Sequence, residues 1–464
     1  MINFASKFTS LVLLLLMKKR LFLLLTLCWF GTLSAQQRIE MSLDEAFKLA
    51  DENSQQIKIS ITGYEASQES MRSASSQRLP DAGIEISGSY IGTASVLSRG
   101  FSNSGTTTIP YAIGIGEVKN GTQPTPHWGN DFVARVTQVI YAGGGISAGI
   151  ELAEQGKRMA LLNIEKNRQE VRFMLTGSYL NLCKLTNQLE VVEKNIELAK
   201  QLLAIMRARH AEGTLLKNDI TRYEYQLQTF LLAKTQLSDA IKIVNHDLVT
   251  TLHLQDGTEI KPMPLLEVTD INQKDYWQAK ATDSSILLKE AQLGAEMGET
   301  KVKAVRSELL PSIAMVIENR LAGPYINDFI PVDANVNAWY IGLGIKYNLG
   351  SLWHKNHDLR KAKIDMRQQN EQVNLTRENI SKAVYADFVN IETSMEEIDT
   401  QRKQMELADE HYRMTQNRYE KGLALLTDML DASNMKLSAE IDYVNAQINL
   451  VYNYYKLKYT TSTL

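Results

Sequence analysis

The chain has 464 residues, with 50 Lys and Arg against 53 Asp and Glu and a formal net charge of −3 at pH 7. That near balance, with no basic stripe, excludes a partner held through nucleic-acid phosphates. The only cysteines are Cys28 and Cys183, which excludes a disulfide framework and leaves packing or assembly to hold the fold.

Residues 1–35 contain Lys7, Lys18, Lys19 and Arg20 and no acid. Met17-Lys18-Lys19-Arg20, the apolar run Leu21–Leu33 and Ser34-Ala35 have the order of a secretory signal peptide, with cleavage after Ala35 and a mature start at Gln36. The stretch Leu11–Leu16 upstream implies that translation starts later than Met1. Leu25-Thr26-Leu27 lacks the small residue expected before a lipidated Cys28. With residues 1–35 removed, 46 basic side chains face 53 acidic ones, a net charge near −7, and Cys183 is the remaining thiol. No later run reaches the roughly 18 apolar residues of a membrane-spanning helix. An exported chain of this kind is either soluble or crosses a membrane as strands, whose hydropathy signal is weak.

The nine prolines stand at 80, 110, 124, 126, 262, 264, 311, 324 and 331. Proline costs about 3 kcal/mol inside a helix, so the proline-free spans 127–261 and 332–464 favour long helices. Leu185, Leu189, Val192, Ile196, Ala199, Leu203 and Met206 form a heptad seam. After Gly213 the seam resumes through Ile220, Tyr223, Leu227, Phe230, Leu237, Ile241, Val244 and Leu248. Val384, Phe388, Ile391, Met395 and Ile398 form a third, and Leu426, Leu430, Leu437, Ile441, Val444, Ile448, Val451 and Tyr455 a fourth. These predict two antiparallel helical hairpins with turns at Gly213 and Gly422. The 69 residues from Gly144 to Gly213 would reach roughly 100 Å as helix.

Period-2 alternation marks four strands. Residues 83–90 set Gly83, Glu85, Ser87 and Ser89 against Ile84, Ile86, Gly88 and Tyr90. Residues 339–347 set Trp339, Ile341, Leu343, Ile345 and Tyr347 against Tyr340, Gly342, Gly344 and Lys346. Residues 132–141 (Phe132, Ala134, Val136, Ile140) and 312–320 (Ile313, Met315, Ile317) follow the same period. About ten residues of alternating polarity with terminal aromatics is the pattern of a membrane strand, and also of a soluble sheet with one wet face. The Gly/Ser/Thr/Asn-rich 91–130 and the shorter 322–338 read as loops.

The chain reads as two copies of one unit. Leu79-Pro80 corresponds to Leu310-Pro311, Tyr141–Gly144 to Tyr347–Gly350, and Gly213–Asp219 to Gly422–Asp428. The expected layout is a signal peptide at 1–35 and a first copy at 36–255, with a helix, strands within about 81–141 and a hairpin tipped near 213. A linker follows at 256–280. The second copy occupies 281–464, with a helix, strands within about 311–348 and a tip near 422. Four strands cannot close a membrane barrel, since an open edge in lipid leaves backbone groups unpaired. Copies must therefore pool strands, and three would supply about twelve.

Two stretches carry a family resemblance. Met41–Ala50 through Asn53-Ser54 looks like an opening helix, with Ser42 and Glu45 placed as a capping box. Arg418-Tyr419-Glu420-Lys421-Gly422 and Asp428-Met429-Leu430-Asp431-Ala432, followed by the helix to Leu457, are the most specific. Over essentially the whole mature sequence the chain resembles the TolC-like outer-membrane efflux proteins. The resemblance implies an α+β membrane protein: a homotrimer with a twelve-stranded outer-membrane barrel, continuous with a long antiparallel α-helical barrel in the periplasm. It implies a periplasmic adaptor and an inner-membrane transporter as partners, besides outer-membrane lipid. Carried over by motif, the periplasmic constriction falls on Asp219, Asp428 and Asp431, with Tyr419 in the closing contacts and Gly213 and Gly422 at the tip turns. The arginine that partners them in the family falls on Ala424, which has no donor, while Arg222 stands in the first copy where the second has Asp431.

No catalytic, cofactor or metal set is expected. His354 and His357 open a charged helix and read as solvated. Gly143-Gly144-Gly145 lacks the Lys-Ser/Thr of a phosphate loop and reads as a bend from strand to helix. Cys183 reads as a small buried apolar residue. Asp44-Glu45 and Glu396-Glu397 are neighbours that point different ways on a helix. The function expected is a passive export duct for small molecules. A duct for type I protein secretion and a periplasmic coiled-coil adaptor stand as alternatives, and the alternating strands count against the adaptor.

Overall fold

The computed structural model describes residues 38–90, 127–263, 271, 273–324 and 334–464. The expected signal peptide and most of both expected loops lie outside the described residues. The elements in chain order are β1 (Arg38–Met41), α1 (Leu43–Asn53), α2 (Gln55–Ser76), β2 (Asp81–Tyr90), β3 (Trp128–Ala142), α3 (Gly145–Ala211) and α4 (Lys217–Thr251). Then come β4 (Glu259–Pro262), α5 (Lys274–Ser284), α6 (Ile286–Ser307), β5 (Ser312–Gly323), β6 (Val336–Lys346), α7 (Ser351–Glu420) and α8 (Leu426–Thr460).

The same backbone devices recur in both halves. α1 and α5 each have 11 residues, and α2 and α6 each have 22. One extended residue separates each pair, Ser54 (ψ 126) and Ser285 (ψ 118), whose N–H groups donate to the Ala50 and Ala281 carbonyls at 2.9 and 3.1 Å. α4 and α8 each have 35 residues, and each is followed by a left-handed residue, His253 (φ 53) and Ser462 (φ 54). The opening cap forms as the sequence predicts. The Ser42 hydroxyl accepts the Glu45 N–H at 3.3 Å, and the Glu45 carboxylate accepts the Ser42 N–H at 2.8 Å.

Contacts divide the chain into two units. The first comprises the chain up to Gly63, Leu161–Glu290 and Asn374–Leu464. One of its cores gathers Phe47, Ile57, Leu175, Tyr179, Cys183, Leu248, Leu252, Ile260, Ile448 and Val451. Each such side chain, fully buried, contributes about 1.5–3 kcal/mol. β1 pairs in parallel with β4, Arg38 opposite Glu259 through Met41 opposite Pro262, and β4 falls in the segment expected as a linker. Tyr179 clamps the pair: its hydroxyl donates to the Met41 carbonyl at 2.8 Å and accepts the Met263 N–H at 3.1 Å. Asn245 holds β4, accepting the Ile260 N–H and donating to the Thr258 carbonyl, both at 2.7 Å.

The second unit comprises Tyr64–Ala160 and Ala291–Val373 and carries an antiparallel sheet in the order β2-β3-β5-β6. The strands extend beyond their expected ends: Trp128–Asn130, Ala322-Gly323 and Val336–Ala338 are strand, not loop. The register puts Ile84, Ala134, Asn319 and Trp339 in one row, and Ala82, Val136, Ile317 and Ile341 in the next. That face is mainly apolar and, among the described residues, uncovered, with Ile84, Trp339 and Ile341 at 75, 72 and 62 % exposure. The opposite face carries Arg135, which pairs with Glu318 at 2.6 Å, and Arg320, which donates to both oxygens of Asp131 at 2.9 and 2.7 Å. Ile140 does not continue the period of β3. A register shift between Val139 and Tyr141 leaves it as the extra residue of a bulge.

Gly143 (φ 61) and Gly144 (φ 86) turn β3 into α3, as the bend reading expects. A Cβ on Gly143 would lie 2.6 Å from the Ser307 carbonyl oxygen. Among the described residues, no helix is long and apolar enough to cross a membrane.

Candidate functional site: the hairpin tips

The tips belong to the first unit, and the seams read from the sequence build their support. Val192, Ile196, Ala199, Leu203 and Met206 on α3 pack with Ile220, Tyr223, Leu227 and Phe230 on α4. Tyr412, Tyr419, Leu426, Met429 and Ala432 of the other hairpin join the same core. Polar bonds tie the hairpins above it: Gln226 donates to Asn434 at 2.7 Å, Asn195 to Glu440 at 2.8 Å and Gln188 to Asn445 at 2.8 Å.

Both tips turn through one glycine motif. Gly213 (φ 78) donates to the His210 carbonyl and Thr214 to the Arg209 carbonyl, both at 3.0 Å. Gly422 (φ 73) donates to the Tyr419 carbonyl at 3.0 Å and Leu423 to the Arg418 carbonyl at 2.8 Å. This left-handed closure satisfies the last carbonyls of α3 and α7. Extended Leu216 and Leu425 then start α4 and α8.

Asp219 and Asp428 are each the third residue of their helix, so both carboxylates sit in a first turn favoured by the helix dipole. Asp428 accepts the Leu425 N–H at 3.0 Å. Asp431, one turn on, is exposed, as is Arg222 at the corresponding place in α4. Tyr419 is 4 % exposed, and among the described residues its buried hydroxyl has no hydrogen-bond partner. Burial, reinforced by the Asp219 carboxylate, pushes its phenol above the ordinary value, while the nearby Arg209 guanidinium pulls it down. The structure therefore brings Tyr419, Asp219 and Arg209 together. Arg209 also donates to the Tyr419 main-chain carbonyl at 3.0 Å.

Arg209 is the tip residue that sequence reasoning missed. Its signal was available: it stands four residues before Gly213, as Arg418 stands four before Gly422. A second missed feature backs the tips, where Lys436 pairs with Asp409 at 2.7 Å and lies 5.0 Å over the Tyr412 ring.

A family model described as outer membrane efflux protein matches residues 277–459, a span that holds Tyr419, Asp428 and Asp431. Over that span the chain is similar to the outer membrane efflux proteins. It is similar to the pyoverdine export outer membrane protein OpmQ of Pseudomonas aeruginosa, with 22 % identity over 344 residues, 67 % of this chain and 68 % of that protein. It matches the outer membrane protein TolC of Salmonella enteritidis at 20 % over 190 residues, 40 % of this chain and 39 % of TolC. The solved outer membrane protein VceC of Vibrio cholerae has the same fold, with TM-score 0.72 and 15 % identity over 90 % of this chain and 96 % of VceC. Asp219 lies outside the span matched to the efflux family model, so its place beside Tyr419 rests on the geometry of the tips.

Proposed function

We propose that this chain is one subunit of an outer-membrane exit duct, through which an inner-membrane transporter passes small molecules to the exterior. The observation that carries the reading is the sheet. One face is apolar and open across all four strands, and the other is polar with cross-strand ion pairs. Lipid outside and a wet lumen inside ask for that division. β2 and β6 are the sheet's outer strands, and in lipid their unpaired edges need partners. Three copies joined edge to edge give a closed barrel of about twelve strands. The matching helix lengths in the two halves support a duplicated unit, which lets helices of one tube end at one level.

The tips form the periplasmic constriction. In a trimer Asp219, Asp428 and Asp431 recur around the axis as rings of negative charge, which attract cations. Ala424 has no side-chain donor to close them, and Arg209 lies beside Tyr419, which also faces Asp219. Leu216, Leu423 and Leu425, 72, 66 and 70 % exposed, give the tips an apolar surface suited to a periplasmic adaptor.

Single-channel conductance in a planar bilayer tests the reading, comparing the parent protein with Asp428→Asn and Asp431→Asn. The parent should pass a small cation-preferring current, and the variants a larger, less selective one. An unchanged current removes the constriction from these residues. Failure of the parent to insert removes the duct.

A further inference from the structure

α7 is segregated by charge along its length. Residues 351–367 hold five Lys or Arg and two carboxylates, while 368–420 hold six against eleven. The basic end follows β6 after four residues. One side of this end is taken, because Gly298 of α6 brings its backbone against Met366 with only 3.4 Å between a built Cβ and the Met366 Cα. Most of the remainder is exposed among the described residues. Lys355 is neutralised by Glu308 at 2.9 Å and Lys361 by Asp365 at 3.0 Å. Among the described residues, exposed Arg360 and Lys363 have no ion-pair partner. Just before them, Leu349, Leu352 and Trp353 are 60, 48 and 61 % exposed.

We propose that the first turns of α7 bind the headgroups of anionic phospholipids in the leaflet at the helical end of the sheet. The inference rests on the sheet being a membrane barrel and goes beyond it. An exposed Trp and two Leu beside a lipid-facing strand are interfacial anchors, and Trp favours that layer. Nine and twelve residues into α7, Arg360 and Lys363 stand about 14 and 18 Å from its start. Long side chains swung back toward the bilayer bring their charges near a polar layer some 5–8 Å thick. Unpaired cations there attract acidic lipid by about fivefold each. The corresponding start of α3 offers no such patch: residues 145–160 balance Lys157 and Arg158 against Glu151 and Glu154.

The test uses the full assembled protein, given phosphatidylcholine alone or mixed with phosphatidylglycerol, with the retained lipids counted by native mass spectrometry. The parent should retain phosphatidylglycerol in preference to phosphatidylcholine. Arg360→Gln with Lys363→Gln should lower that preference about five- to twentyfold, and Arg360→Lys with Lys363→Arg should keep it. A parent that enters phosphatidylcholine bilayers yet shows no preference overturns the inference and gives the patch to a protein partner. So does a preference that survives loss of both charges. A parent that enters neither bilayer overturns the membrane reading, and this inference with it.

Discussion

Single residues at the tips and in the core separate packing from gating. Among the described residues Tyr419 makes no hydroxyl bond, so Tyr419→Phe removes no bond that they make. Unfolding of the separated chain should shift by less than about 0.5 kcal/mol, or rise slightly, because a buried unpaired hydroxyl is itself a cost. The assembled duct should nevertheless conduct more, since a partner for that hydroxyl would come from the rearranged tip or a neighbouring copy; conductance and thermal unfolding of the same variant check both statements. Cys183 is a purer packing case. Burial raises its thiol from about 9 to about 12, so the folded chain holds that proton more tightly than the unfolded chain. Its contribution to stability is full below pH 9 and is lost as the pH climbs from there toward 12. At pH 8 alkylation should run about a thousandfold slower in the folded protein than in denaturant, by the smaller thiolate fraction alone. Rapid labelling of the native chain would contradict the burial.

At the scale of elements, glycines with similar dihedrals carry different demands. Gly213 has open space where a Cβ would stand, so Gly213→Ala pays only for left-handed backbone, about 1 kcal/mol. Gly143 adds a clash with the Ser307 carbonyl oxygen and Leu310, so Gly143→Ala should cost about 3 kcal/mol or more and lower the melting temperature further than Gly213→Ala. Equal shifts would mean that the β3–α3 turn yields more easily than its packing implies. The Gly213 and Gly143 turns were legible because glycine, a broken heptad and a neighbouring strand pattern coincided. The β1–β4 pair was not: each strand has four residues and its partner lies 221 positions away, too short for a period and too distant for a turn signal. The break at Ser285 left no mark either, since a lone serine is tolerated within a helix. Arg209 was passed over although its spacing to Gly213 matches that of Arg418 to Gly422, because its partner Tyr419 stands on the other hairpin.

For the molecule as a whole, the distinction that matters is whether the apolar sheet face meets lipid or water, because alternation alone permits both. The same substitution has opposite consequences in the two settings. In water, Ile341→Lys replaces a side chain 62 % exposed with one that water solvates, and should be neutral or favourable. In a bilayer, a lysine near mid-strand on the lipid face costs about 2–4 kcal/mol. Ser87→Lys on the other face places the cation opposite Asp131 in a wet lumen, where the change should stay within about 0.5 kcal/mol. Three copies would each carry the Ile341 cost, so the assembled duct should lose heat resistance in an unboiled gel for Ile341→Lys and keep it for Ser87→Lys. If both variants migrate and unfold alike, the sheet faces water on both sides, and the edges of β2 and β6 need no closure by sister chains.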